Sequence, residues 1–356
     1  MEATLTPAAC FHDGVMRVIG GFLMVVALLL VACSSGDDSE DAAGAPEEAV
    51  GPAASAGCDH GAGTPPGVSE GTITSGGVER KYQLEIPEGY DGTTPFPVVL
   101  ALHALTVNYA VVPGISGFSD MAERYDFITV APSGLVDGTT PYWQATVSPE
   151  NADVTFIGDL LDQLEASLCV DESRVYSTGM SNGAQMSSLL ACRYPERIAA
   201  VGAIAGVEFY EECDGEPVPV IAFHGTDDFV VTYDGGGLNA ETIARLHYWK
   251  DEEPPRLPKN KGVDVAMRRW AEYNGCDPDP VEEQVASEVR KQEWQDCEAE
   301  TTLYIIDGGG HSYPGRPVPG FEDLYGHTTT QIDAAALIFD LFLGDQPAAS
   351  ARQSAG

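Results

Sequence analysis

Apolar and polar positions change rhythm several times along the chain. Tyr82, Leu84 and Ile86 alternate with Gln83 and Glu85, the period-two pattern of a half-buried antiparallel strand. Val98-Val99-Leu100-Ala101-Leu102 and Phe127-Ile128-Thr129-Val130 are continuous apolar runs, as in strands covered on both faces. Arg174-Val175-Tyr176-Ser177-Thr178, Val218-Pro219-Val220-Ile221-Ala222-Phe223 and Thr302-Leu303-Tyr304-Ile305-Ile306 add three more strand candidates. Between them Ile157, Leu160, Leu161, Leu164 and Leu168 recur at helical spacing, and a second helix is predicted over 183–192. Ile332, Ala335, Ala336, Ile338, Leu341 and Phe342 mark a closing helix. Alternation of this kind predicts an α/β domain over 58–345, with a mostly parallel central sheet and helices on both faces. One stretch breaks the rhythm: 233–262 is rich in Gly, Pro and charge, carries Tyr248 and Trp249, and is expected to form a flap over the site.

The two ends read differently from this domain. Residues 18–32 are apolar apart from glycines and follow Arg17; 15 residues fall short of the ~20 that span a bilayer as a helix. They suit the core of a secretory signal, so 1–32 is read as a signal peptide. No Lys or Arg precedes Arg17, and Met16 is read as the start. Leu30-Val31-Ala32-Cys33 resembles a bacterial lipobox, which implies a diacylglycerol on the Cys33 sulfur; the alternative is an ordinary signal with an incidental cysteine. Residues 33–57 are small or acidic and cannot bury enough surface to offset their ordering entropy, so they are expected to be a flexible tether. The tail over 346–356 has the same character.

Charge narrows the partners. Lys and Arg number 18 against 55 Asp and Glu, a formal net charge of −37. Such a field repels nucleic acid and anionic head groups, so no nucleic-acid partner is expected and membrane contact is expected only through the lipid anchor. Salt would screen the self-repulsion, and a saline habitat would show as higher stability in molar salt than in dilute buffer. Of the 8 cysteines, Cys58, Cys169, Cys192, Cys213, Cys276 and Cys297 remain once Cys10 and Cys33 are set aside. An even set in an exported chain reads as disulfides, with 15 pairings open to six cysteines. Cys276 with Cys297 and Cys192 with Cys213 flank short segments and are paired as neighbours, which leaves Cys58 with Cys169. No C-x-x-C pair or H-x-x-x-H run points to zinc.

The candidate chemistry begins at Gly179-Met180-Ser181-Asn182-Gly183, a G-x-S-x-G between a predicted strand and a predicted helix. A serine hydroxyl is a weak nucleophile that needs a base, and the base needs an orienting carboxylate. His224-Gly225-Thr226-Asp227-Asp228 follows the next strand and supplies the acid. Asp228 is preferred over Asp227, which reads as a solvated turn residue. Gly308-Gly309-Gly310-His311-Ser312 follows the last strand and supplies the base, His311. Each lies just past a strand's C-terminal end, where open α/β sheets bind ligands. Two backbone N–H groups, of Asn182 and of Leu105 in the His103-Ala104-Leu105 loop, are the expected oxyanion donors. His103 and His224 are read as hydrogen-bonding their own loops; His60, His247 and His327 receive no role.

With these residues the sequence resembles the bacterial extracellular polyhydroxybutyrate depolymerase and feruloyl esterase family, including its lipoprotein branch. The likeness runs from Arg80 to Phe342. It rests on Tyr90-Asp91-Gly92, Leu102-His103, Phe118-Ser119, Cys169-Val170-Asp171, the Ser181 motif, Leu190-Ala191-Cys192, His224-Gly225-Thr226, Asn274-Gly275-Cys276 and Gly308-Gly309-Gly310-His311-Ser312-Tyr313-Pro314-Gly315. It implies an α/β-hydrolase fold, a triad on Ser181, Asp228 and His311, and no metal or cofactor. Ala104 departs from the glycine usual after that histidine. The implied activity is hydrolysis of carboxylic esters, on feruloyl or acetyl groups of polysaccharides or on short-chain polyhydroxyalkanoate. A serine peptidase and a non-catalytic surface-binding lipoprotein are the rival readings.

Overall fold

A computed structural model describes residues 53–60, 63–236 and 260–344. The expected signal peptide over 1–32, Cys33, most of the expected flap with Tyr248 and Trp249, and the tail over 346–356 all lie outside the described residues. The strands are β1 (Gly67–Ser75), β2 (Val78–Ile86), β3 (Phe96–Leu102), β4 (Ile128–Pro132), β5 (Leu135–Asp137) and β6 (Thr140–Tyr142). They continue with β7 (Val170–Met180), β8 (Ala200–Ile204), β9 (Val220–Gly225), β10 (Val281–Ala286), β11 (Val289–Glu293) and β12 (Thr301–Ile306). Apart from the small β5–β6 pair, they form one sheet in the order β1-β2-β4-β3-β7-β8-β9-β12-β11-β10. From β4 to β12 every neighbour is parallel. Antiparallel hairpins close both edges.

Parallel strands at the centre are buried on both faces, which is why they are continuous apolar runs. Along β3, Val98, Leu100 and Leu102 enter one core while Val99 and Ala101 enter the other. The first core receives α3 (Ala152–Ser167), α4 (Asn182–Arg193) and α5 (Val263–Tyr273). Against the second pack α1 (Val112–Ser116), α2 (Phe118–Tyr125) and α7 (Ala334–Leu343), with Phe339 stacked on Phe127 at 4.7 Å. A short α6 (Glu322–Tyr325) lies between β12 and α7. Polar caps set the helix starts: Asn151 accepts from Asp153 and Val154 N–H, and Asp333 from Ala335 and Ala336.

One boundary differs from the sequence expectation. The tether does not run to residue 57. Ala54 bridges Asp171, the Ser55 hydroxyl donates to the Leu168 carbonyl at 2.7 Å, and Ser55 is buried. Small residues that read as unstructured are held here by backbone pairing, which composition does not register. At the ends of the expected flap, Gly236 pairs with Asn260 and Val263 N–H donates to the Tyr233 carbonyl, while 237–259 lie outside the described residues. The disulfides join Cys58 to Cys169, Cys192 to Cys213 and Cys276 to Cys297. Each of the latter two closes a separation of 21 residues, about 3 kcal/mol in the chain-entropy account.

Candidate active site

Ser181 stands between the end of β7 and the start of α4 with φ 58° and ψ −121°, a left-handed conformation that a non-glycine residue rarely adopts. The strain is held from both sides: Ser181 N–H donates to the Ile204 carbonyl at 2.8 Å, and its own carbonyl accepts from Gln185 at 3.0 Å. The flanking glycines are there for space. A Cβ on Gly183 would lie 2.4 Å from the Leu102 carbonyl oxygen, and one on Gly179 2.7 Å from that same oxygen. The turn therefore presses the start of α4 against the end of β3, and Ser181 lines a cavity there.

That cavity has a volume of about 260 Å³ and is lined by Ser181, Asn182, His311, Ala104 and Leu105. Its remaining wall is mostly aliphatic and aromatic and includes Val112, Ile115, Phe118, Val318, Phe321 and Tyr325.

Asp228 and His311 hang from the ends of β9 and β12. His311 Nδ1 lies 2.7 Å from Asp228 Oδ2, with both side chains almost fully buried. The other carboxylate oxygen, Oδ1, accepts from Val230 and Val231 N–H at 2.8 and 2.9 Å. Burial raises the Asp228 pKa, but the facing His311 and the hydrogen bonds from His224 and His311 outweigh it, holding the carboxyl well below the usual range. An ionised carboxylate only accepts, so His311 carries its proton on Nδ1 and leaves Nε2 as a base. His311 is fixed in turn by its N–H to the Tyr325 carbonyl at 2.7 Å.

His224 serves its loop, with Nε2 2.7 Å from the Val231 carbonyl, and also reaches Asp228 Oδ2 at 3.3 Å. Asp227 is exposed and its N–H donates to Gly309. His103 is fully buried and bonds the Ala104 carbonyl and Gly134 N–H, both at 2.9 Å. In the loop after β3, Thr106 and Val107 donate their N–H groups to the Pro141 and Ala104 carbonyls, so neither is available to an oxyanion. Trp143, which no sequence signal singled out, sits under this loop and contacts both His103 and Asn182. The helices that supply Val112, Ile115 and Phe118 were likewise not predicted.

A parallel-centred sheet with helices on both faces, and a strained serine elbow at its C-terminal edge, define an α/β-hydrolase. The fold is shared with the acetyl xylan esterase from Aspergillus awamori, with a TM-score of 0.52 and 18% identity over 72% of this chain and 97% of that one. The Esterase PHB depolymerase family model matches residues 81–228. Feruloyl esterase C of Emericella nidulans is 36% identical over 228 residues, covering 61% of this chain and 80% of the relative. A probable feruloyl esterase C of Aspergillus niger is 29% identical over 269 residues, covering 72% and 86%. The chain belongs to this esterase family.

Proposed function

We propose that the chain is an exported serine esterase in which Ser181 is the nucleophile, His311 the base and Asp228 its orienting acid. The observation that carries this reading is the 2.7 Å contact of Asp228 with His311, which lines the same cavity as Ser181. His311 Nε2 takes the Ser181 proton as Oγ bonds the ester carbonyl carbon. Asn182 and Leu105 N–H hold the oxyanion, and the alcohol leaves with the proton from His311. Water then bonds the acyl carbon as His311 Nε2 takes its proton; the bond from that carbon to Oγ breaks, His311 returns the proton to Oγ, and the carboxylic acid leaves.

The substrate class follows from the wall of the cavity and from the relatives. An apolar space of about 260 Å³ holds an aromatic acyl group with its surface buried and leaves an acetyl group loosely held. The feruloyl esterase names of the relatives agree with the first. Feruloyl esters on polysaccharide are therefore the preferred substrates, ahead of acetyl esters and short hydroxyalkanoate oligomers. Comparing kcat/KM on methyl ferulate, p-nitrophenyl acetate and a hydroxybutyrate trimer tests the order. A higher value on acetate than on ferulate would contradict the acyl assignment.

Three disulfides suit an oxidising compartment. With residues 1–32 as signal and Cys33 as lipid carrier, the domain is tethered outside the membrane by 33–52. Metabolic labelling with a radioactive fatty acid should mark the chain and not its Cys33→Ala variant.

A further inference from the structure

Two segments far apart in sequence must be held in register for an oxyanion hole to work: the loop after β3 and the first turn of α4. Both are tied to one residue. Trp143, just past β6 and 2% exposed, donates its indole Nε1–H to the His103 carbonyl at 2.9 Å. Its ring lies over the His103 imidazole at 4.8 Å between centroids. Its backbone is clasped by the Asn182 side chain, whose Oδ1 accepts from Trp143 N–H at 2.7 Å and whose Nδ2 donates to the Trp143 carbonyl at 3.1 Å. The next residue is anchored too, since Gln144 N–H donates to Asp153 Oδ2 at 2.7 Å.

His103 passes this constraint on. Its Nε2 accepts from Gly134 N–H, so Nδ1 carries the proton and donates it to the Ala104 carbonyl. Burial, the largest influence, pushes the imidazole pKa down to about 4, so the ring stays neutral and keeps this tautomer near neutral pH. Fixing the Ala104 carbonyl fixes the peptide plane that it shares with Leu105 N–H. The loop needs such restraint: Thr106, the next residue, has φ 69° and is secured by its N–H to Pro141 at 2.9 Å.

We propose that Trp143 is a positioning residue of the oxyanion hole: its indole N–H holds the His103–Leu105 loop and its backbone holds Asn182, which sets the two N–H donors at the spacing of a tetrahedral oxygen. The inference rests on the serine-esterase reading above. Trp143 touches no substrate; it acts through Leu105 and Asn182. A donor displaced by a fraction of an ångström costs transition-state binding and leaves ground-state binding nearly intact.

The test uses Trp143→Phe, which keeps a ring against His103 and removes the Nε1–H. The expected result is a fall in kcat of roughly 10-fold or more, below the ~10²–10³ for losing a donor outright. KM on methyl ferulate should stay within about 2-fold. Inhibition by phenylboronic acid, which goes tetrahedral on Ser181, should weaken by the same factor as kcat, while inhibition by ferulic acid should not change. Asn182→Ala, which keeps the backbone N–H and removes the clasp, should show the same split if Trp143→Phe folds poorly. Wild-type boronate affinity in both variants would overturn the proposal, as would equal losses for boronate and ferulic acid, the mark of a collapsed cavity. A wild type that hydrolyses nothing and ignores the boronate would fail the esterase reading itself; a working wild type with unaffected variants would fail this proposal alone.

Discussion

The two halves of the site are built in different ways. The Ser181 half is made of backbone: a strained turn, two glycines that admit the Leu102 carbonyl, and the proposed N–H donors of Asn182 and Leu105. The Asp228–His311 half is made of side chains hung on loops and held by hydrogen bonds. Two buried carboxyls display the contrast. Asp228 faces two imidazoles and stays ionised. Glu208, on the segment after β8 that backs the Ser181 turn, has its pKa pushed up to about 7, chiefly by burial. The same desolvation acts on both, and partners decide which side of neutrality each carboxyl falls.

The greatest loss is expected at the proposed nucleophile. Ser181→Ala should lower kcat by ~10⁶ in an ester hydrolysis assay, with the fold unchanged by circular dichroism. In the other half, Asp228→Asn should cost ~10⁴, because an amide can donate and no longer dictates the His311 tautomer. Activity within a few-fold of wild type would remove Asp228 from the role of orienting acid.

The carboxyls predict opposite pH dependences of stability. Glu208 has a folded pKa above its ordinary 4.5, so its contribution is present at low pH and is lost as pH rises from there through about 7. The loss is roughly 3 kcal/mol at full extent. Glu208→Gln should flatten urea-unfolding stability across that window, and an unchanged slope would contradict the assignment. Asp228 has a folded pKa below its ordinary 3.8, so its contribution is present above that pH and is lost on acidification. Trp143→Phe should be the mildest, roughly 10-fold in kcat, because it would shift the proposed backbone donors and leave Ser181, Asp228 and His311 in place.

How much of this was legible in the sequence follows the same division. Parallel central strands such as Val98–Leu102 carry their burial in their composition, and the order of Ser181, Asp228 and His311 follows strand ends that the pattern marks. The edge strands β1 and β10 were not predicted because their side chains are mostly exposed and carry no two-sided apolar run. β8 was missed because Ala200-Val201-Gly202-Ala203-Ile204 is made largely of small residues. Trp143 left no trace at all: its partners His103 and Asn182 lie 40 and 39 residues away, and only folding brings them together. The cavity wall has the same cause, since it is assembled from α1, α2 and the segment around α6.

Covalent labelling would locate the nucleophile itself. The chain is treated with a fluorophosphonate, digested, and the modified residue is located by mass spectrometry. One adduct is expected, on Ser181, absent from Ser181→Ala and formed far more slowly in Asp228→Asn. A well-folded chain that takes no label, or takes it at another residue, would contradict the account.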